Sequence, residues 1–358
     1  MQEASSLHLP GVAMDDQIQE LVRSIYAGSA TSVVFEAMDV GVLSNVVHVT
    51  VTLPTRVEHL IAKFPRPEFP MMHAMFAVEA AFYTRTDKAK VPFQLPPLLS
   101  ASADAIVLQK LANVTSYSCY DGCPPARVLS ILMQLATLHA AYWGQSFPEL
   151  AAIPGIGANL SVQEKQTHFC TRYAPFYADL GLPPTTRAEL DHLCSTLAQG
   201  TRLTRLHEAV ESWHKTLIHG DLHVANMLFD DHHIVLLDWA TCGSSNPLRD
   251  VAFFFTVSVT RAVREAVEAP SLRAYATTLA DAIPALSIEA IETMYYLCVL
   301  NQFVILVGYN ALTMSLATLG STPAKQAQLR DGFLETNKRS CAAALHAFQM
   351  LAQHALFQ

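Results

Sequence analysis

The sequence of 358 residues is 51% hydrophobic and 15% charged, a composition that suits one large or two smaller folded domains and excludes a disordered chain. Its formal net charge is −8, and lysine and arginine form no cluster, which argues against nucleic acid as a partner.

The cysteines and the N-terminus both bear on where the protein resides. The seven cysteines are odd in number and lack the spacing of a disulfide framework, which predicts reduced thiols in a cytoplasmic protein. The N-terminal stretch has neither a basic start nor a long apolar run, so we expect no secretory signal. The oligomeric state is left open by these patterns.

The first 109 residues predict a small unit that contains a β-sheet. Apolar residues at helical spacing predict a helix around Ile18–Ile25. Runs of branched residues predict strands at 33–35, 46–51, 60–64 and 105–108. Residues 71–85 are predicted to be helical, and a proline-rich connection separates them from the last strand. Residues 109–123 are predicted to be a linker.

From Pro124 onward the pattern is mainly helical. Apolar residues recur at helical spacing from Val128 to Leu138, and Ser161–Glu164 has the pattern of a capping box before another helix. Residues 187–198 and 203–213 also predict helices, residues 219–237 predict loop and strand, and the chain after Pro247 is predicted to be helical.

One uncharged stretch tests the expectation that the chain has no membrane span. Residues 293–324 contain no charged side chain, and Leu297–Val307 is strongly apolar. A membrane helix needs about 20 predominantly apolar residues, and Asn301, Gln302 and Gly308 interrupt this run. We therefore expect a buried helix of a helical domain.

The segment from His219 to Asp238 carries the chemistry. Asp221 stands five residues before Asn226, and Asp238 ends the apolar run 234–237. Phosphoryl transfer from ATP uses these residue types, because one carboxylate orients the attacking hydroxyl while a carboxylate and an amide oxygen hold Mg²⁺ against the triphosphate. The D-x-x-x-x-N spacing is that of a kinase catalytic loop, and Asp238-Trp239 stands where D-F-G would stand.

The two histidines of this segment allow a different interpretation, a zinc hydrolase. His219 and His223 form an H-x-x-x-H pair beside Asp221. Zinc hydrolase motifs of this kind lie on a helix and contain a glutamate, as in H-E-x-x-H, whereas Gly220 breaks a helix here. We expect the histidines to be scaffold residues of the loop.

The motifs H-G-D-L-H-x-x-N-x-L, L-D-W and N-P-L-R-D-V-A together resemble those of the aminoglycoside phosphotransferase and choline-kinase-like family of small-molecule kinases, and especially its ecdysteroid-kinase-like subset. The resemblance implies an α+β, two-lobed, protein-kinase-like fold. Residues 1–109 would form a small β-containing nucleotide-binding lobe, and residues 110–358 a larger, mainly helical lobe with the catalytic and acceptor sites.

The same resemblance implies roles for individual residues. Asp221 would be the catalytic base, and Asn226 and Asp238 would bind Mg²⁺. Lys63, in a strand that resembles the family's L-V-x-K-x-P, would bind the α and β phosphates of ATP, and Glu79 would orient Lys63.

Other nucleotide contacts are expected from two weaker segments. The phosphate loop has only Gly41 as its glycine, with Ser44 and Asn45 as additional contacts. The hinge would lie at 107–111, where Gln109 and Leu111 contact adenine through the backbone. An acidic pair is usual there in the family, and Gln109-Lys110 replaces it, which leaves the choice of ATP or GTP open.

The sequence thus predicts a kinase that uses ATP and Mg²⁺ and transfers phosphate to a hydroxyl of a small molecule. A nucleotide-binding pseudokinase that acts as a regulatory module is the alternative. A protein kinase is disfavoured, because few residues separate Asp238 from Asp250 and no A-P-E-like segment follows. The acceptor has no motif, although the apolar composition favours a lipophilic alcohol.

Overall fold

The computed structural model describes residues 14–40, 43–69, 71–150, 161–178 and 180–358, and the chain divides into two compact units. The first unit contains the described residues of Met1–Thr86 and Leu95–Asn113, and the second contains those of Asp87–Gln94 and Val114–Gln358. An antiparallel sheet dominates the first unit and helices dominate the second, which confirms the predicted α+β class.

The sheet of the first unit has five antiparallel strands in the order β1-β2-β3-β5-β4. They are β1 (Ser32–Met38), β2 (Ser44–Thr52), β3 (Val57–Pro65), β4 (Leu98–Ala101) and β5 (Ile106–Gln109). Four of these strands were predicted from their branched residues. The fifth, β4, was missed because it is short and follows a proline pair, a combination that is tolerated at a sheet edge.

The described part of the first unit contains two α-helices, α1 (Met14–Ile25) and α2 (Met71–Arg85). Ile18 and Val22 of α1 are buried in one apolar cluster with alternate residues of β2 and β3. Because side chains alternate along a strand, Lys63 of β3 lies on the opposite face from Ala62 and Phe64, which belong to that cluster. Helix α2 packs against β3, β4 and β5.

The second unit contains eight described helices and five short strands. The helices are α3 (Pro125–Ala141), α4 (Val162–Ala178), α5 (Pro184–Ala198), α6 (Arg202–Glu211), α7 (Leu248–Val257), α8 (Arg261–Ala282), α9 (Ile288–Leu316) and α10 (Pro323–Met350). The strands are β6 (Thr115–Ser116), β7 (Thr216–Ile218), β8 (Met227–Phe229), β9 (Ile234–Leu236) and β10 (Gly243–Ser245). They form a three-stranded sheet, β6-β8-β9, and a two-stranded one, β10-β7.

Local signals in the sequence explain several helix boundaries. The predicted capping box is confirmed before α4, because Glu164 N donates to Ser161 Oγ at 3.2 Å and Ser161 N donates to Glu164 Oε2 at 2.8 Å. Pro125 begins α3 at a position that needs no N–H donor. The apolar face that follows, from Val128 to Leu138, is buried as its spacing predicted.

Helix α9 contains the uncharged stretch. By length and composition Ile288–Leu312 qualifies as a membrane span, with a mean hydropathy of 1.6. However, 61% of its most apolar window is buried inside the protein. Burial of that extent is what a core helix of a large helical domain shows, so the composition of α9 is explained by its packing against α4, α7 and α10.

Candidate functional site

A buried ion pair joins Lys63, the predicted phosphate-binding residue of the first unit, to Glu79, the residue predicted to orient it. Lys63 Nζ lies 2.8 Å from Glu79 Oε2, and it also lies 5.7 Å from the centre of the Phe76 ring. The Glu79 side chain is fully buried and the Lys63 side chain is 12% exposed. The pairing therefore holds the ammonium group at a fixed place on β3, beside α2.

The residues predicted for the phosphate loop lie near this pair. Ser44 and Asn45 begin β2, where they face Pro65 and Phe64, and Val46 faces Lys63 in the next register position. Gly41 lies outside the described residues. The structure thus brings Ser44 and Asn45 to the same end of the sheet as Lys63.

The predicted hinge residues follow β5. The N–H of Gln109 donates to Pro97 O and that of Lys110 donates to His59 O, both at 2.9 Å. These two donors are engaged within the unit, so a contact between adenine and Gln109 would depend on its carbonyl. Leu111 stands just beyond the strand, where its role remains a prediction.

In the second unit, Asp250 holds the backbone of the H-G-D segment. Its carboxylate, which is 1% exposed, accepts a hydrogen bond from His219 N at 2.7 Å and from Gly220 N at 2.9 Å. Asp250 lies in the first turn of α7, and the H-G-D segment follows β7 directly. The carboxylate therefore connects the start of a helix to the start of the candidate catalytic loop.

Gly220 is needed for the shape of this loop. Its φ of +83° lies in the left-handed region, and a Cβ built on it would stand 2.3 Å from the backbone oxygen of Thr241. Thr241 in turn donates from Oγ1 to His219 O at 3.2 Å. The backbone of residues 219–220 is thus closely packed against the segment that follows Asp238.

His219 is a scaffold of the loop, as predicted. Its imidazole is fully buried, and Nε2 donates to Leu237 O at 2.8 Å while Nδ1 accepts from Asp221 N at 3.3 Å. Its ring lies 4.9 Å from that of the buried Trp239. These contacts require the Nε2–H tautomer, and they connect the Asp221 backbone to the end of β9.

Asp221 and Asn226 are in direct contact. Asn226 Nδ2 donates to Asp221 O at 3.0 Å and lies 3.4 Å from Asp221 Oδ2. The Asp221 side chain is 40% exposed, so the carboxylate is accessible to a ligand. The D-x-x-x-x-N spacing closes this loop because residues 224–226 form a single 3₁₀ turn.

The residue before Asp238 is hydrogen-bonded to Asn226. Leu237 N donates to Asn226 O at 2.9 Å, which connects the loop to the end of β9. Asp238 has a φ of 61°, a left-handed conformation that is uncommon outside glycine and recurs at functional sites. The amide nitrogen of Asn226 is engaged by Asp221, so its amide oxygen is the atom of this side chain that can act as a metal ligand.

This donor set suits Mg²⁺. Mg²⁺ prefers hard oxygen ligands and is commonly held by one or two side chains together with substrate phosphates and water. The Asp238 carboxylate and the Asn226 amide oxygen are ligands of this kind, and both residues are half-buried. Within the described residues, no group of three or more His, Cys, Asp or Glu is placed to hold a metal ion.

His223 contacts the candidate base, a relation that the sequence did not reveal. Its Nε2 lies 3.4 Å from Asp221 Oδ2. Partial burial disfavours the charged form of Asp221, but the charge and hydrogen bond of His223, aided by His219 and Asn226, lower the pKa of Asp221 to about 2. Burial also disfavours the charged form of His223, but Asp221 and the Cys119 thiol raise the pKa of His223 well above 6.5.

The His223 ion pair predicts a pH dependence of stability. The pKa of His223 is raised in the folded state, so its contribution is complete below about pH 6.5 and is lost as the pH rises through the folded pKa. The lowered pKa of Asp221 keeps the contribution intact until the pH falls from 3.8 towards about 2. Since both side chains are partly exposed, we expect about 1 kcal/mol.

The measurement compares the free energy of urea unfolding of the wild type and His223→Gln from pH 5 to pH 9. The difference should be largest at pH 5 and should shrink as the pH rises. His233→Gln is the matched control, because His233 also lies near an aspartate but is exposed. A difference that grows with pH would contradict the assignment of a protonated His223.

Comparisons with known proteins place these features in a family. The family model described as the phosphotransferase enzyme family, APH, matches residues 41–286, about two thirds of the chain. No curated protein matches the chain significantly.

Three solved structures share the fold. The choline kinase LicA from Streptococcus pneumoniae is 14% identical, with 91% of this chain and 99% of that chain covered and a TM-score of 0.51. The choline kinase from Cryptosporidium parvum Iowa II is 8% identical, with 94% and 97% covered and a TM-score of 0.52. A mutant of the aminoglycoside 2′-phosphotransferase-IIIa, solved as a GDP complex, is 14% identical, with 91% and 97% covered and a TM-score of 0.51.

These likenesses confirm the predicted protein-kinase-like fold, with an antiparallel five-stranded sheet followed by a mainly helical region. The family match spans β3, α2, the H-G-D segment and α7, and therefore includes all the predicted site residues. The chain belongs to the phosphotransferase enzyme family.

Proposed function

We propose that this protein transfers the γ-phosphoryl group of ATP, with Mg²⁺, to a hydroxyl of a small molecule. The observation that carries the proposal is the contact between Asp221, which is ionised and accessible, and Asn226, whose backbone is hydrogen-bonded to Leu237, the residue before Asp238. Family membership supports it, because phosphotransferases need this combination of a carboxylate and metal ligands.

In this proposal Asp221 orients the acceptor. A carboxylate with a pKa of about 2 is a weak base, so it does not remove the hydroxyl proton before transfer begins. Phosphoryl transfer has a loose transition state with little demand for a strong nucleophile. Asp221 therefore holds the hydroxyl in line and takes its proton as the new bond forms.

The remaining residues position the nucleotide. Asn226 and Asp238 hold Mg²⁺ through their side-chain oxygens, and Lys63 binds the α and β phosphates while Glu79 fixes its ammonium group. Bound Mg²⁺ supplies neutralising charge to the triphosphate. Ser44, Asn45, Gln109 and Leu111 supply further nucleotide contacts, as expected from the sequence.

The chemical class of the acceptor is also part of this proposal. The structural relatives are named as choline kinases and an aminoglycoside phosphotransferase, which supports a small-molecule alcohol. The apolar composition and the W-A-T sequence at 239–241, where choline kinases carry F-E-Y, favour a lipophilic neutral alcohol in an ecdysteroid-kinase-like subset. A cytoplasmic location is proposed because the cysteines lack the spacing of a disulfide framework and the N-terminal stretch lacks the pattern of a secretory signal.

The test is Mg²⁺-dependent consumption of ATP with a panel of lipophilic, cationic and polyhydroxylated alcohols, followed by mass detection of the phosphorylated product. A metabolite extract extends the panel. ADP release coupled to a phosphorylated alcohol supports the proposal. Binding of nucleotide without transfer to any alcohol, and with thermal stabilisation that does not depend on Mg²⁺, would identify the protein as a pseudokinase module.

Lys63 offers a separate prediction, on nucleotide binding. Lys63→Met removes the paired charge from the fully buried Glu79 and should cost about 3 kcal/mol of stability, because breaking a buried ion pair from one side is strongly destabilising. Lys63→Met with Glu79→Gln should recover most of that stability but should not recover stabilisation by Mg·ATP.

The measurement is thermal unfolding with and without Mg·ATP. Lys90→Met is the control, because Lys90 is half-exposed and pairs only loosely with Asp87, at 3.7 Å. If the double variant is stabilised by Mg·ATP as strongly as the wild type, Lys63 does not bind phosphate.

A further inference from the structure

A line of buried polar groups leads from α8 to the candidate catalytic loop. Tyr275 in α8 and His139 in the last turn of α3 are both fully buried. Tyr275 Oη lies 2.7 Å from His139 Nδ1, and His139 Nε2 lies 3.6 Å from Asp250 Oδ2. Asp250 then accepts the two backbone hydrogen bonds from His219 and Gly220.

The protonation states along this line follow from the chemistry of each group. Burial lowers the pKa of His139, although the hydrogen bond and charge of Asp250 oppose this effect, so the imidazole is neutral. A carboxylate is only an acceptor, so the nitrogen that faces Asp250 must carry the proton. Nδ1 then has a lone pair, and the Tyr275 hydroxyl donates to it.

Tyr275 thereby selects the tautomer of His139. At 3.6 Å the Nε2–H of His139 is beyond an ordinary hydrogen bond, and Nε2 has no hydrogen-bond partner within the described residues. The contact with Asp250 is a charge–dipole attraction between two fully buried side chains, where the low local dielectric makes such attractions strong. Without the Tyr275 hydroxyl, the ring is free to present a lone pair to the carboxylate instead, which would repel it.

The main chain of His139 also contacts the strand that leads into the candidate catalytic loop. Thr216 Oγ1 donates to His139 O at 2.8 Å, and Thr216 is the first residue of β7, which leads directly into His219. The end of α3 therefore contacts the loop through β7 and again through Asp250. The imidazole acts on the one carboxylate that fixes the backbone of residues 219 and 220.

We propose that His139 and Tyr275 are positioning residues for phosphoryl transfer, which they support by aligning Asp250 and, through it, the loop that presents Asp221. The proposal rests on the proposed function for its kinetic part. A histidine that only filled the core would affect stability and leave the turnover of the folded protein unchanged. A positioning residue affects turnover even in a protein that is fully folded.

The experiment compares His139→Leu, His139→Gln and Tyr275→Phe with the wild type. His139→Leu should lower kcat by about ten- to a hundredfold, with KM for ATP changed by less than about twofold, because small displacements of reacting groups reduce kcat. His139→Gln places an amide N–H near the position of Nε2 and should recover most of kcat. Tyr275→Phe should lower kcat by about three- to tenfold.

Tyr142→Phe is the matched control. Tyr142 is a buried tyrosine at the end of the same helix, and its hydroxyl donates to the backbone oxygen of Asp87 at 2.5 Å. This variant also loses one buried hydrogen bond, but it should keep its kcat. If His139→Leu does not fold, Tyr275→Phe, which removes a single oxygen atom, decides the question.

A second readout does not need activity. Amide hydrogen exchange at His219 and Gly220, whose N–H groups bond to Asp250, should be faster in His139→Leu and Tyr275→Phe and unchanged in Tyr142→Phe. Unchanged exchange, or an unchanged kcat in folded His139→Leu, would overturn the proposal. If the wild type transfers no phosphate but the two variants show these exchange changes, the proposed function is defeated and the alignment of the loop is still established.

Discussion

Asp221→Asn is expected to lower kcat for phosphoryl transfer by about 10³-fold while nucleotide binding is retained, because the amide keeps the size of the side chain and loses its negative charge. Asn226 can still donate to the backbone oxygen of residue 221, so the loop should keep its shape. The thermal midpoint should change by no more than about 3 °C. Asp221→Ala should give a similar loss of turnover.

The measurement pairs single-turnover kinetics with thermal stabilisation by Mg·ATP. Asp231→Asn is the control, since Asp231 is exposed in the turn between β8 and β9 and carries the same charge change. Both variants should bind Mg·ATP like the wild type, and only Asp221→Asn should lose transfer. Transfer at the wild-type rate in Asp221→Asn would remove Asp221 from its assigned role.

The second large effect is expected from Gly220→Ala. A methyl group at this position would stand 2.3 Å from Thr241 O and 3.1 Å from Thr241 C, and both atoms belong to the backbone. The left-handed φ of +83° adds a conformational cost. We expect a loss of about 2–4 kcal/mol in the free energy of unfolding, and a fall in kcat of about a hundredfold in the protein that remains folded.

Gly200→Ala separates the two causes. Gly200 has a φ of +57°, also left-handed, but no atom lies within 4 Å of a Cβ built on it. This variant should lose about 1 kcal/mol from the conformational cost alone and should keep its kcat. Urea unfolding measures the free energy of unfolding, and steady-state kinetics measure kcat. If Gly220→Ala and Gly200→Ala lose equal amounts of both, the contact with Thr241 is relieved without moving the loop.

The elements that were predicted correctly share one property: the residues that determine each element lie close together in the chain. The apolar spacing of α3, the capping box of α4 and the branched runs of β2 and β3 each act through neighbours in the chain. The H-G-D loop is similar, because Asp221 and Asn226 meet through a single 3₁₀ turn. Strand β4 was missed because its four residues, which follow two prolines, carry only a weak strand signal. The strand forms because it pairs with β5, a contact that the local pattern does not show.

Contacts between distant residues had no such local signal. His223 was weighed as a zinc ligand, and only the folded loop brings its Nε2 to Asp221, where it shifts the pKa of both groups. The backbone donors of the hinge could not be assigned either. That of Gln109 is engaged by Pro97, because β4 adds to the edge of the sheet.

Periodicity and motif spacing are properties of the chain, and they were sufficient for the α+β class and the chemistry-bearing loop. The resemblance to a known family supplied the two-lobed fold and the pairing candidates Lys63 and Glu79. The N-P-L-R-D-V-A motif resembles the family's, in which the aspartate, here Asp250, supports that loop, and tertiary structure alone showed which side chains contact Asp250. Asp250 lies 30 residues beyond Gly220, and His139 and Tyr275 are 136 residues apart, yet they meet in one buried line. Such contacts form only when helices from distant parts of the chain pack, and their geometry depends on that packing.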